Sequence, residues 1–311
     1  MFDEGFLSVG DGHEIWYGQY GNKDGRPLII LNGGPGGSSK PKYVNHLDFT
    51  KYRIVMFDQR GCGQSKFKDL LNENYTDALV DDAHRLVEHL KIPKVILVGP
   101  SWGSTLAISF AAKYGSMVDG MLLSSIFPAR NVDVDWMQKS IGLFFPEIQT
   151  WIDDLINTHD IEKRDYIRFA LDKLLHGNDT ERRDMAAFID SIESNMMRVG
   201  EEISRTSPED IEELDIISTI IYLHYVQNNF FLDDDGVFTP ANLEAVRDIP
   251  TVILHGRYDL LCPYEGAYTL FKNQSNCVLE HVSDEGHAFS ADSKRLINYM
   301  LVTLVEMIEK G

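Results

Sequence analysis

The sequence of 311 residues has few cysteines and few basic residues for its length. Its three cysteines form no C-x-x-C pair, so no disulfide framework is indicated and a reducing, cytoplasmic setting is expected. Lys and Arg number 29 against 48 Asp and Glu, a net charge of −19, which argues against nucleic acid or an anionic membrane as partner. No apolar run approaches the ~18–20 residues that cross a bilayer, and the acidic start lacks signal-peptide features.

Several common functional motifs are also missing. The chain contains no H-E-x-x-H or C-x-x-C metal spacing and no G-x-x-x-x-G-K-[ST] phosphate loop, so we predict neither a metal nor a cofactor. What it does contain is 43% hydrophobic and 11% aromatic residues, enough for a substantial core. This length suits a large α/β domain that carries an insertion.

The most informative stretch is residues 94–104. Val95–Val98 is a short apolar run typical of a strand buried on both faces, and Pro100 favours extended backbone up to Ser101. Apolar residues recur at helical spacing from Trp102 onward. With glycines two residues on either side, Ser101 lies in a G-x-S-x-G pattern, which is typical of a nucleophile elbow. The alternative is a glycine-rich turn without chemistry.

Other buried-strand patterns lie on both sides of this stretch. They alternate with helical patterns, which predicts a mostly parallel, doubly wound α/β sheet with helices on both faces, opened by a hairpin around Asp11-Gly12. From about residue 128 to 239 only amphipathic helical patterns occur. We therefore predict a core of residues 1–127 and 240–311 and a helical cap of residues 128–239. The predicted strands are Leu28–Leu31, Tyr52–Phe57, Met117–Ser125, Thr251–His255 and Cys277–Val282.

A serine nucleophile needs a base, and the base needs a carboxylate that fixes its tautomer. In a hydrolase sheet of this kind they follow later strands in the order serine, acid, histidine. Asp259 directly follows one predicted strand and His287 follows the next. We expect Ser101, Asp259 and His287 to converge as a catalytic triad. The rival histidines lie within strands or on the helix after Thr76, its predicted N-cap: His84, His89, His255 and His281.

The loop Asn32–Gly37 contains four glycines and one proline, so its backbone can approach a ligand closely. It follows the strand expected beside the Ser101 strand. We predict that the backbone N–H groups of Gly34 and Trp102 form the oxyanion hole.

Together these segments resemble the proline iminopeptidase family, α/β-hydrolases that remove an N-terminal proline. The resemblance implies the same triad and oxyanion hole, with Leu261 and Cys262 helping to line a proline pocket. Asn32 stands where the family has histidine, and Pro100 replaces a glycine. The matching segments are Asn32–Gly37 with HGGPGG, Asp58–Ser65 with DQRGCGxS, Gly99–Ser104 with GGSWGS, His255–Asp259 with HGRYD, and Gly286-His287 with GH.

The predicted cap departs further from the family. Family members hold the substrate ammonium with two cap glutamates; Glu193 matches the first, whereas Tyr222 stands where the second is expected. The resemblance implies a peptide or amide substrate with N-terminal proline or another small residue. Two alternatives stay open: a small-metabolite ester or amide hydrolase with the same triad, and a ligand-binding protein without catalysis. Four other cap acids are expected on solvated helix faces: Glu201, Glu202, Glu212 and Glu213.

Overall fold

The computed structural model describes residues 1–40, 45, 47–197 and 200–310. Within them, one sheet of nine strands runs in the order β1-β2-β4-β3-β6-β7-β8-β9, with β5 pairing to β2. The pairs from β4 to β9 along this order are parallel, and those made by β2 are antiparallel. The strands are β1 Asp3–Gly10, β2 His13–Gly21, β3 Arg26–Ile30, β4 Tyr52–Phe57, β5 Lys66–Phe67, β6 Val95–Pro100, β7 Val118–Ser124, β8 Thr251–Gly256 and β9 Cys277–Val282.

Helices cover both faces of this sheet, as the strand-helix alternation predicts. One face packs against α1, α2, α8 and α9, and the other against α10. The α-helices are α1 Thr76–His89, α2 Trp102–Tyr114, α3 Asn131–Asp135, α4 Pro146–His159, α5 Tyr166–His176, α6 Asp179–Met197, α7 Glu213–Gln227, α8 Pro240–Val246, α9 Tyr264–Asn273 and α10 Arg295–Lys310. The predicted α/β-hydrolase fold class is confirmed.

Strand β6 lies in the middle of the sheet, between β3 and β7. Val95 and Leu97 belong to the core on one face, and Ile96 and Val98 belong to the core on the other. Because successive side chains of a strand point to opposite faces, a continuous apolar run is what this doubly covered position requires. This strand therefore holds the Ser101 segment at the buried centre of the sheet.

Between β7 and β8 the described residues form helices and connecting segments without a strand. Helices α5, α6 and α7 enclose a hydrophobic cluster of their own, built on residues such as Leu174, Ala186 and Leu223. An amphipathic helix buries its apolar stripe against neighbours, so three such helices can stabilise one another above the sheet. The boundaries of this cap at residues 128 and 239 stay a prediction.

Local details differ from expectation at two places. Thr76 is not the N-cap of α1: Tyr75 occupies that position, and the Thr76 hydroxyl donates a hydrogen bond to the Phe230 carbonyl instead. The two-residue strand β5 was not predicted, because so short a run carries no periodicity. None of the helices in the described ranges has the length and apolar character that a membrane span requires.

Candidate active site

Ser101 lies at the turn between β6 and α2 with φ 54° and ψ −126°. A non-glycine residue is strained at positive φ, and such strain persists only where the surroundings impose it. Here the Ser101 N–H donates to the Ser124 carbonyl at 2.8 Å, and its carbonyl accepts from the Ser104 hydroxyl at 2.6 Å. A side chain at position 103 would overlap the Leu31 carbonyl, so glycine is required for this turn.

Asp259 and His287 meet at the carboxyl ends of β8 and β9. The ring Nδ1 of His287 lies 2.9 Å and 3.1 Å from the two carboxylate oxygens of Asp259. The same carboxylate accepts backbone hydrogen bonds from Leu261 at 3.0 Å and Cys262 at 2.7 Å. Both side chains are buried, so the pair lies in a fixed arrangement in which the aspartate orients the imidazole.

The environment of His287 favours its charged form. Burial alone lowers the pKa of His287, but the Asp259 carboxylate and its hydrogen bond raise it, and Glu193 adds to this effect. The net pKa of His287 lies above its ordinary value. An imidazolium that forms during a reaction would therefore be stabilised here.

The hydroxyl of Ser101 lies near this pair without a direct hydrogen bond. Within the described residues, the His287 ring is hydrogen-bonded to Asp259 and not to Ser101. The buried Cys262 sulfur lies within 4.8 Å of ligand atoms of Asp259 and His287. Burial raises the pKa of this thiol well above its ordinary value, and the Ser101 hydroxyl opposes that rise. Serine-histidine contacts are often long without substrate and tighten on binding.

Among the rival histidines, His255 lies beside the pair, with its Nε2 3.5 Å from a carboxylate oxygen of Asp259. His255 is fully buried; its Nδ1 accepts from the Ile126 N–H at 3.0 Å, and its Nε2 lies 2.9 Å from the Cys262 carbonyl. It therefore supports the segment that carries Asp259. His84 stacks on Tyr114 on the outer helices, with ring centroids 3.9 Å apart, and His281 is an exposed residue of β9.

The glycine loop lies directly against the Ser101 turn. A Cβ atom placed on Gly33 would come within 3.6 Å of the Ser101 Cβ, and Gly34 has φ +133°, a conformation that favours glycine. Within the described ranges, no hydrogen bond uses the N–H of Gly34 or Trp102 as donor. Neither N–H group is therefore engaged by another described residue, and their role as an oxyanion hole stays a prediction.

Gln59 lies in the motif segment Asp58–Ser65, but the sequence does not indicate which groups its side chain contacts. Its side-chain amide donates to the Asn32 carbonyl at 3.0 Å, and its Oε1 accepts from the Trp102 indole N–H at 3.2 Å. The neighbouring Asp58 accepts from the Ser39 N–H, so both ends of the glycine loop are fixed to residues that follow β4. Only the pairing of distant segments reveals this arrangement.

The cap residues Glu193 and Tyr222 line one cleft with the glycine loop. This cleft has a volume of about 150 Å³. Burial raises the pKa of Glu193 to about 7; the nearby Asp190 adds to the rise, whereas the Tyr222 hydroxyl and His287 oppose it. Among the described residues that line the cleft, three are carboxylates and none is basic. Its lining residues are Gly34, Pro35, Gly37, Asp190, Glu193, Ile211, Asp215, Ser218, Thr219 and Tyr222.

Other predicted features lie elsewhere. Leu261 is half-buried against the main core, and the four further cap acids Glu201, Glu202, Glu212 and Glu213 are exposed. A larger cavity of about 590 Å³ lies within the cap, between residues such as Trp151, Phe169 and Arg205, and none of the predicted site residues lines it. The smaller cleft is the one lined by Gly34, Glu193 and Tyr222 of the predicted site.

Comparison with known proteins places this geometry in a family. Residues 26–293 match the family model described as "alpha/beta hydrolase fold". A probable proline iminopeptidase of Leptolyngbya boryana is 35% identical over 290 residues, covering 92% of this chain and 89% of that protein. A putative proline iminopeptidase of Mycoplasma genitalium is 31% identical, covering 96% and 97%.

A solved structure of bromoperoxidase from Bacillus anthracis superposes with a TM-score of 0.64 at 18% identity, over 98% of this chain and all of that one, which shows the fold alone. The fold and family match define a hydrolase of the α/β-hydrolase class. Within that class, the chain belongs to the proline iminopeptidase family, as its sequence motifs predict.

Proposed function

We propose that this protein is a serine aminopeptidase that releases an N-terminal proline, or a similar small residue, from peptides or amides in the cytoplasm. The observation that carries the proposal is the buried Asp259–His287 pair beside Ser101 at its strained turn. The proline iminopeptidase relatives supply the substrate class.

In the proposed reaction the Ser101 hydroxyl attacks the carbonyl carbon of the first peptide bond, and His287 accepts its proton. The carbonyl oxygen becomes an oxyanion and binds the N–H groups of Gly34 and Trp102. His287 then gives the proton to the leaving nitrogen, so that the C–N bond breaks and an acyl-enzyme forms. Water, deprotonated by His287, hydrolyses this ester and regenerates the serine.

We propose that Glu193 binds the substrate ammonium. Its carboxylate lies in the cleft beside the glycine loop, close enough to His287 to influence the pKa of that ring. Since a buried ammonium is strongly disfavoured without a carboxylate, and a buried carboxylate without a cation, each offsets the desolvation of the other. Asp190 and Asp215 line the same cleft and add negative charge in place of the family's second glutamate.

The serine mechanism is tested with a fluorophosphonate probe. Wild-type protein should be labelled rapidly, and Ser101→Ala should lose both labelling and turnover, by a factor of about 10⁶ in kcat. Ser116→Ala, an exposed serine just beyond the far end of α2, is the matched control and should behave like wild type. An unlabelled wild-type protein would favour the alternative of a ligand-binding protein.

The substrate class is tested by comparing prolyl-naphthylamide, its N-acetylated form and a p-nitrophenyl ester. We expect the free-amine substrate to have the highest kcat/KM, because only it can pair with Glu193. Equal cleavage of the acetylated form would contradict the aminopeptidase proposal. Preference for the ester would support the alternative of a small-metabolite esterase.

A further inference from the structure

We infer that Gln59 is a positioning residue that fixes the distance between the two halves of the oxyanion hole. This inference rests on the proposed function. Gln59 follows β4, whereas the two N–H donors belong to other segments: Gly34 to the loop after β3, and Trp102 to the start of α2. Its single side chain hydrogen-bonds to both segments.

The chemistry of the two contacts requires an amide. The Asn32 carbonyl can only accept a hydrogen bond, and the Trp102 indole N–H can only donate one. The glutamine side chain has one NH₂ and one oxygen, and both are used, at 3.0 Å and 3.2 Å. A glutamate would satisfy the indole but not the carbonyl, and a methionine has no donor for the carbonyl and only a weak sulfur acceptor for the indole.

Because these contacts are buried, a broken hydrogen bond cannot be replaced by one to water. Gln59 is 1% exposed, Trp102 0% and Asn32 5%, so no bulk water can replace a lost partner. The Trp102 indole is also held on the cap side, where it packs edge-to-face on Tyr225 with ring centroids 5.2 Å apart. With its indole bonded to Gln59 on one side and packed on Tyr225 on the other, Trp102 is held in one orientation at the start of α2.

The other contact fixes the glycine loop. Asn32 is two residues before Gly34, and its side chain donates to the Phe57 carbonyl at 2.8 Å. Glycines lack the side chains that would otherwise hold this loop in place. The carbonyl bond from Gln59 therefore limits how far the Gly34 N–H can move away from Ser101.

The position of an oxyanion donor strongly affects rate. Losing one donor costs about 10²–10³ in kcat, and a displacement of about 1 Å can cost about 10². An effect on donor position should appear in kcat and in the binding of tetrahedral adducts, whereas ground-state binding should change little.

The test uses Gln59→Met, Trp102→Phe and the double variant in the full-length protein. The phenylalanine variant keeps the backbone N–H of residue 102 and removes only the indole donor. We expect Gln59→Met to lower kcat about 10- to 100-fold with KM within about threefold of wild type. Affinity for an aminoacyl boronic acid, which forms a tetrahedral adduct on Ser101, should fall by the same factor as kcat/KM.

Coupling between the variants distinguishes this role from simple packing. Both single variants break the same bridge, so the double variant should be about as impaired as Gln59→Met rather than show the product of the two effects. Gln19→Met is the matched control, because Gln19 is also buried and uses both ends of its amide, on Asp3 and Arg53. That control should lose stability and keep its kcat.

Three outcomes would overturn the inference: Gln59→Met with unchanged kcat, a loss confined to KM, or multiplicative effects in the double variant. If Gln59→Met does not fold, Gln59→Glu and Trp102→Phe break the bridge from its two ends separately. Absent fluorophosphonate labelling of wild type would instead refute the proposed serine mechanism itself, so the two failures are distinguishable.

Discussion

The candidate active site has a floor, formed by core residues such as Asp259 and His287, and a roof, formed by cap residues such as Glu193. The floor and the roof stabilise their carboxylates in different ways. On the floor, the Asp259 carboxylate is surrounded by donors from Leu261, Cys262 and His287 at 2.7–3.1 Å. On the roof, the cap carboxylate of Glu193 is buried beside other acids, and the pKa of this group is raised to about 7. A carboxyl group with this pKa exchanges its proton near neutral pH.

This difference indicates that the floor has its hydrogen-bond partners in the free protein, whereas the roof would gain a counter-charge from a ligand. The floor carries its own counter-charge and hydrogen bonds, so it can hold its geometry in the free protein. The part of the roof that the structure describes has no basic side chain lining the cleft, and a substrate ammonium would supply a positive charge there. We therefore interpret the core as the site of bond breaking and the cap as the site of substrate selection.

Breaking the floor should have the largest effect. In Asp259→Asn the imidazole loses the carboxylate that fixes its tautomer, and we expect kcat to fall about 10⁴-fold. Steady-state kinetics on the naphthylamide measures this loss. Asp284→Asn, an exposed residue before His287, is the control; a similar loss there would assign the effect to the loop rather than to the carboxylate.

Breaking the roof should affect selectivity instead. Glu193→Gln removes the charge that pairs with the ammonium, and we expect kcat/KM for the free-amine substrate to fall about 10²-fold. Cleavage of an uncharged ester should remain within about threefold of wild type. The matched variant Glu202→Gln, on the exposed cap surface, should leave kcat/KM unchanged for both substrates. An equal loss on both substrates would contradict a role in amine recognition.

The same variant should gain stability at high pH. The pKa of Glu193 is raised from 4.5 to about 7, so folding favours its protonated form, and the free energy of unfolding falls as pH rises through this range. Glu193→Gln removes this cost, by about 3 kcal/mol at pH 8 and close to zero below pH 4.5. Urea unfolding at both pH values measures it; a destabilised variant at pH 8 would refute the assignment.

The smallest effect is expected where the cap is attached to the core. The Tyr225 hydroxyl donates to the Asn74 side chain at 3.0 Å in a buried position. Tyr225→Phe leaves that oxygen without this partner, so we expect about 1–2 kcal/mol less stability with kcat unchanged. Denaturant titration beside kinetics measures both quantities. A large loss of kcat would show that this contact also positions Trp102, which packs on the same ring.

Local sequence patterns predicted the strands that carry the site, because each combines a buried apolar run with a functional loop at its end. Ser101, Asp259 and His287 follow three strands whose order and parallel pairing bring their ends to one edge. The glycine loop Asn32–Gly37 was predicted beside Ser101 in the same way, because it directly follows the buried apolar run of β3. Residues 101, 259 and 287 remain predicted catalytic residues until the variants above are measured.

Side-chain contacts that neither a motif nor the strand order specifies could not be predicted. Gln59 lies 43 residues from Trp102 and 27 from Asn32, and no spacing rule connects positions joined only by tertiary structure. Thr76 is a second example. Its hydroxyl donates a hydrogen bond to the Phe230 carbonyl, 154 residues away, and does not cap α1 as the local preference predicts.

The contact between Gly36 and the cap has a practical consequence for protein engineering. Gly36 has φ +96°, and any side chain there would collide with the backbone of Ser218 on α7. A chimaera that exchanges the cap for that of a relative must therefore keep a compatible loop beneath it. The glycine loop and α7, which are distant in the chain, should therefore be transplanted together.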